Sequence, residues 1–81
     1  MITVTLLTKP GCHLCDVAKH TIEQVRQQFA FVVVVRDITE NPADFEKYKH
    51  AIPVILVNDA EIARGRLKSD VLIEAIHSAE L

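Results

Sequence analysis

The spacing of apolar residues changes from a strand period to a helix period and back within the first 35 positions. Residues 2–8 alternate apolar and β-branched polar side chains, which predicts a strand. From Leu14 onward the spacing is that of a helix with one buried face, at Leu14, Val17, Ala18, Thr21, Ile22, Val25 and Phe29. The β-branched run up to Val35 then predicts a central strand, covered on both faces, whose residues 32–35 belong to the core. Strand, helix and strand in this order predict a right-handed crossover and a parallel strand pair.

The second half of the chain predicts a short helix, a hairpin and a final helix. Asn41 as N-cap with Pro42 at the first helical position starts the short helix, with Phe45 and Tyr48 as its apolar anchors. Strands are predicted over 54–57 and 61–66, joined by a turn at Asn58-Asp59. Ser69 can cap the last helix, whose shared apolar face is Leu72, Ala75, Ile76 and Ala79. The prediction is a single α/β domain over residues 1–81, of order βαβαββα, with a four-stranded mixed sheet flanked by helices.

Composition and charge exclude several classes of protein. Of the 81 residues 49% are hydrophobic and 25% are charged, as in ordinary globular proteins. The formal net charge of −2 gives no footprint for nucleic acid or an anionic membrane, and the apolar run 29–35 is shorter than the roughly 20 residues of a membrane span. Met1 is followed by no secretory pattern. We therefore expect a cytoplasmic monomer that binds neither nucleic acid nor membrane.

Cys12 and Cys15 are the only cysteines, and they lie where the first strand hands over to the first helix. Thiols at i and i+3 across a helix start can close a disulfide. The free N–H groups and positive dipole end of the helix, together with Lys9 and a protonated His13, would lower the pKa of the Cys12 thiol. Cys15, one turn inside the helix, should stay protonated until it reacts. In a cytosolic chain such a pair indicates redox, catalytic or metal chemistry.

Other interpretations of the pair remain open. The two cysteines can be small buried hydrophobes. They can also hold a metal with His13 as a third ligand, although a complete site would need a second copy or an outside thiol. His13 itself can be an exposed first-turn residue with no partner.

The residues Thr8-Lys9-Pro10-Gly11-Cys12-His13-Leu14-Cys15, followed by Ile52-Pro53 and the hairpin, resemble the thioredoxin-like fold in its glutaredoxin form. The chain is most similar to small bacterial glutaredoxin-like proteins with Cys-His-Leu-Cys in place of Cys-Pro-Tyr-Cys. The resemblance implies that Cys12 is the nucleophile and Cys15 the resolving thiol of a redox-active disulfide. It also implies that Pro53 is a cis proline facing them, whereas base rates alone favour trans.

The resemblance extends to a substrate surface. It implies that Lys9 lies near the thiolate and bound glutathione, and that Ile52 offers its backbone to glutathione or an extended peptide. Glutaredoxins hold glutathione with a Gly-Gly pair followed by Asp; here Gly65 stands alone between Arg64 and Arg66, and Asp70 can mark the start of the last helix. The two arginines form a charged rim that selects an acidic partner, or simply point to solvent at a sheet edge.

These observations predict a thiol–disulfide oxidoreductase acting on protein or low-molecular-weight disulfides. Its partners would be a disulfide-containing protein or glutathione, and glutathione or a reductase would restore the dithiol. No bound cofactor or metal is expected, with glutathione only as a co-substrate. The alternatives are a module that binds or delivers a metal or iron–sulfur cluster through the same cysteines, and an adaptor that keeps only the fold.

Overall fold

The computed structural model describes residues 1–80 and contains the predicted elements in the predicted order. The strands are β1 (Thr3–Thr8), β2 (Val32–Asp37), β3 (Val54–Val57) and β4 (Ala60–Arg64). The helices are α1 (His13–Arg26), α2 (Pro42–Tyr48) and α3 (Ser69–Glu80), with a short 3₁₀ turn at Ile38–Glu40. Within residues 1–80, no helix has the length and apolar character needed to cross a membrane.

The four strands form one mixed sheet in the order β2-β1-β3-β4. β1 pairs with β2 in parallel and with β3 antiparallel, and β3 pairs antiparallel with β4. The prediction that residues 32–35 form a central, fully covered strand is wrong, because β2 lies at the edge of the sheet. Val32, Val34 and Val35 are 40%, 38% and 50% exposed. The central strands are instead β1 and β3, and every residue of β3 is buried.

One face of the sheet packs against α1 and α3 and holds the larger core. Alternate residues of β1 and β3 meet the buried stripes of the two helices there, including Val4, Leu6, Ala18, Ile22, Ile55, Leu72 and Ile76. The prediction that Leu14 and Val17 belong to the buried face of α1 is wrong, since they are 41% and 45% exposed. The buried stripe is narrower than the apolar pattern, and both residues lie on its flank. Ala79 of α3 is exposed as well.

The opposite face holds a smaller core beneath α2. It comprises Leu7, Ile38, Tyr48, Val54 and Leu56. Tyr48 is buried as predicted, but Phe45, the other expected anchor, is 38% exposed. A helix of seven residues has room for few buried positions. Its start at Pro42 confirms the predicted cap, because the Asn41 Oδ1 accepts from the N–H groups of Ala43 and Asp44 at 2.9 and 3.2 Å.

An ion pair joins α2 to the edge strand β2. The Arg36 Nη2 donates to both carboxylate oxygens of Asp44 at 2.7 Å. This hydrogen bonding raises the pKa of Arg36 above its ordinary value. The side chain of Asp44 is only 17% exposed, whereas that of Arg36 is 44% exposed. The contact therefore links α2 to the edge of the sheet.

The hairpin between β3 and β4 closes through the predicted turn. Asn58 and Asp59 have φ values of 49° and 69°, the left-handed pair that a type I′ turn requires. β4 ends at Arg64, two residues earlier than predicted, because Gly65 adopts a left-handed φ of 77° and turns the chain. α3 begins at Ser69 itself, whereas Ser69 as N-cap would require the helix to begin one residue later. The Lys68 carbonyl accepts from the N–H of Leu72 at 3.3 Å.

Candidate redox site

The two cysteines lie at the start of α1, just beyond the end of the buried strand β1. A loop of Lys9, Pro10 and Gly11 joins the strand to the helix, and Gly11 takes a φ of 77° that favours glycine. Cys12 is the N-cap residue, with extended φ and ψ of −92° and 107°. The sulfur atoms of Cys12 and Cys15 are at disulfide distance, and their Cα atoms are 5.2 Å apart. The first helical turn therefore brings the pair together as the spacing predicted.

Backbone polarity at the site favours negative charge on one of the two sulfurs. The N–H of Cys15 donates to the Cys12 Sγ at 3.3 Å. An N-cap side chain also faces the positive end of the helix dipole, and α1 is 14 residues long. Both effects would stabilise a thiolate at Cys12 after reduction, and neither depends on a charged side chain.

The two cysteines differ in their accessibility. Cys12 is partly exposed, while Cys15 is 2% exposed and packs on the inner side of α1. An external disulfide therefore has better access to Cys12 than to Cys15. The two cysteines thus differ in exposure although they lie on one helical turn.

Pro53 lies at the same end of the sheet as the cysteines. The Ile52-Pro53 peptide bond is cis, as the resemblance implied. In the antiparallel register Leu7 faces Val54, so Pro53 falls beside Thr8 where β1 ends. Pro53 is buried, and its carbonyl accepts from the N–H of Gly65 at 2.7 Å. Ile52 is half-buried and packs against the smaller core.

The basic side chains that sequence analysis placed at the site differ in their engagement. Lys9 and His13 are exposed, in the loop before α1 and at its first residue. Arg64 instead binds Glu61 on its own strand, through bonds of 2.7 and 2.8 Å. This bonding lowers the pKa of Glu61 and raises that of Arg64. Arg66 forms no ion pair within the described residues 1–80, so it is the arginine available to a ligand.

Asp70 lies in the first turn of α3, where its Oδ1 accepts from the N–H of Val71 at 3.0 Å. The preceding residue, Ser69, lines a cleft together with Gln24 and Gln28 near the end of α1. Gln24 is 12 positions beyond Cys12, about 18 Å along a helix axis. The structure thus places the start of α3, where Asp70 lies, beside the half of α1 that is distant from Cys12.

Leu14 is a surface residue of the site that the sequence did not predict. Leu14, between the two cysteines, is 41% exposed beside Cys12, although its apolar character and spacing had placed it in the core. The signal that could have revealed it is Cys15, since a helix that buries position 15 turns position 14 toward its flank.

The described residues, 1–80, contain no group of three or more His, Cys, Asp or Glu side chains placed to hold a metal ion. His13 therefore does not form a three-ligand group with Cys12 and Cys15.

Comparison with known proteins identifies the family. The sequence profile of the glutaredoxin-like domain (DUF836) matches residues 3–77. The chain is 32% identical over 77 residues to the glutaredoxin-like protein YDR286C homolog of Dictyostelium discoideum, covering 88% of this chain and 71% of that protein. It is 31% identical over 78 residues to a thioredoxin of Methanocaldococcus jannaschii, covering 93% and 92%.

A solved structure with the same fold is protein Ne2328 from Nitrosomonas europaea. It superposes with a TM-score of 0.80 at 24% identity, covering 91% of this chain and 89% of the other. Strand order, the cysteine pair and the sequence matches agree, and the chain belongs to the glutaredoxin-like domain family.

Proposed function

We propose that this protein is a thiol–disulfide oxidoreductase in which Cys12 attacks and Cys15 resolves. The observation that carries the proposal is the unequal exposure of two cysteines whose sulfurs are at disulfide distance, with Cys12 partly exposed at a helix N-terminus and Cys15 buried. Disulfide exchange needs one accessible thiolate and a second thiol that reaches only the first. A reducing compartment such as the cytoplasm would supply the dithiol form.

The forward reaction consists of two exchanges. The Cys12 thiolate attacks one sulfur of a substrate disulfide, forms a mixed disulfide with it and releases the other substrate sulfur as a thiolate. Cys15 then loses its proton and attacks the Cys12 Sγ, which expels the second substrate thiolate. The substrate gains two electrons, and the protein is left with the Cys12–Cys15 disulfide.

The partly exposed surface around Cys12 would receive the substrate. We assign the positioning of an extended peptide or of glutathione to the backbone of Ile52, beside Pro53 at the same end of the sheet. Lys9 and Arg66 are exposed cations without an ion pair in the described part of the chain, and they favour a substrate with carboxylates. Two equivalents of glutathione or a thioredoxin-type reductase would return the two electrons.

We expect Cys12 to be alkylated by iodoacetamide far faster than Cys15 in the reduced protein. We expect the helix N-terminus and the Cys15 N–H to stabilise the Cys12 thiolate, so the alkylation rate should reach its plateau at a lower pH than for a free thiol, whose pKa is about 8.5. Peptide mass spectrometry after timed labelling between pH 4 and 10 would measure both rates. A Cys12 that titrates like a free thiol, or equal labelling of both cysteines, contradicts the proposed roles.

A reporter disulfide tests the activity and its reductant together. Reduction of an insulin-type protein disulfide and of a small mixed disulfide would be followed with glutathione plus its reductase, and separately with thioredoxin reductase. We expect turnover with at least one of the two systems. Faster turnover with glutathione would assign this protein a glutathione-linked role despite its single Gly65. No turnover with either system, together with bound iron or zinc in protein purified without oxygen, would instead support metal or cluster binding.

A further inference from the structure

The outer edge of β2 is apolar over its first four residues and carries charge only at its end, at Arg36 and Asp37. β2 occupies the end of the sheet order, and Val34 and Val35 are 38% and 50% exposed. Residues 31–35 contain no charge, no proline and no glycine. Charged side chains, prolines and bulges are the usual means by which proteins keep sheet edges from pairing with other chains.

The opposite edge of the same sheet has charges within its strand and an irregular register. β4 presents the bidentate ion pair of Glu61 and Arg64. The register between β3 and β4 is also interrupted between Ile55 and Leu56. β2 thus presents a longer uncharged stretch than β4, with no interruption of its register to β1.

The backbone of β2 is oriented for a further strand. The N–H of Val32 donates to the Ile2 carbonyl at 2.9 Å, so the backbone groups of Val32 and Val34 face β1. Because these groups alternate along a strand, those of Val33 and Val35 point away from the sheet. Polar backbone groups beside apolar side chains are the combination that strand addition satisfies.

We propose that two copies of this chain pair through β2, antiparallel, to form one continuous eight-stranded sheet. Val33 would face Val33 of the second copy, and Val35 would face Phe31. On the other face of the sheet Val34 would lie opposite Val32. In this register the outward backbone groups of both copies hydrogen-bond to each other, and a two-fold axis passes through Val33.

The second copy is the occupant because the edge is complementary to itself. Every pair across the seam from residue 31 to residue 35 is apolar on both faces of the sheet. The first charge, Arg36, falls opposite Ala30, outside the run, and its guanidinium already binds Asp44. A shift by one step, with Val34 opposite Val34, would set Arg36 against Val32. This pairing would replace the monomer expected from the sequence with a dimer.

The substitution Val34→Lys tests the seam against Val71→Lys as a matched control. Both valines are 38% exposed, but Val71 lies on α3 rather than at the sheet edge. Sedimentation in reductant, which excludes dimers linked through Cys12, would follow the mass from 9.1 kDa to twice that value as concentration rises to about 1 mM. We expect Val34→Lys to raise the dimer dissociation constant at least about tenfold and Val71→Lys to change it less than about twofold.

Amide hydrogen exchange of the unaltered protein gives a second measurement. The N–H groups of Val33 and Val35 should exchange more slowly as concentration rises, whereas that of Val34, already paired with β1, should change little. A chain that stays at 9.1 kDa at every concentration overturns the proposal. A dimer that Val34→Lys leaves intact, or one that leaves the Val33 and Val35 amides unprotected, overturns it equally.

Discussion

Replacing Cys12 with serine is expected to remove disulfide turnover, by at least about 10³-fold, to the uncatalysed rate. A serine hydroxyl is not ionised at neutral pH and cannot form a mixed disulfide. The side chain is otherwise nearly the same size, and its oxygen can still accept from the N–H of Cys15. Reduction of the reporter disulfide, with thermal unfolding measured in parallel, would show that chemistry is lost while the fold is kept.

Cys15→Ser is the matched control, because the same atom is exchanged one helical turn away. This variant keeps the exposed nucleophile but lacks the thiol that resolves the intermediate, so it should accumulate a mixed disulfide between Cys12 and the substrate. Mass spectrometry of the unreduced protein would detect the added mass. Retained turnover in Cys12→Ser, or trapping through position 15 in that variant, would overturn the assignment of roles.

The second large effect concerns the core that carries the site. Leu6 is 1% exposed on β1 and packs in the larger core, so Leu6→Ala should cost about 2–5 kcal/mol of unfolding free energy. A domain of 81 residues has roughly 4–12 kcal/mol in total, and each kcal/mol corresponds to about 4–8 °C in Tm. We therefore expect Tm to fall by at least about 10 °C. Urea unfolding and calorimetry would measure the loss.

Leu14→Ala provides the comparison for Leu6→Ala. The same atoms are deleted, but Leu14 is 41% exposed on α1, and alanine favours a helix. The unfolding free energy should change by less than about 0.5 kcal/mol. Equal losses in the two variants would mean that β1 is not the centre of the core.

Element order was predictable from the sequence because each element has a local signal. The start of α2 is set by Asn41 and Pro42, and the hairpin turn by Asn58 and Asp59, which tolerate left-handed backbone. The cysteine pair was predictable for the same reason, since i and i+3 spacing is local. The cis bond before Pro53 was predictable only through the resemblance, because nothing local distinguishes it from the commoner trans form.

The position of β2 could not be predicted from its own residues. An apolar run identifies a strand but does not say which strands flank it, and that order depends on contacts distant in the sequence. Here β3, whose apolar run of residues 54–57 is shorter than the run 29–35, occupies the inner position beside β1. Arg64 is a different case, because its ion pair with Glu61 is local, three residues away, and was not considered in assigning Arg64 to a substrate surface. Neither outcome contradicts a local preference.

The strand order also determines which parts of the molecule can change without disturbing the redox pair. Cys12 follows β1 and Pro53 precedes β3, and these two neighbours are the inner strands. Fraying or exchange of partners at β2 or β4 leaves the β1–β3 register intact. Substitutions at either edge strand can therefore change what binds there without moving the cysteine pair. One fold can in this way serve different partners with the same dithiol.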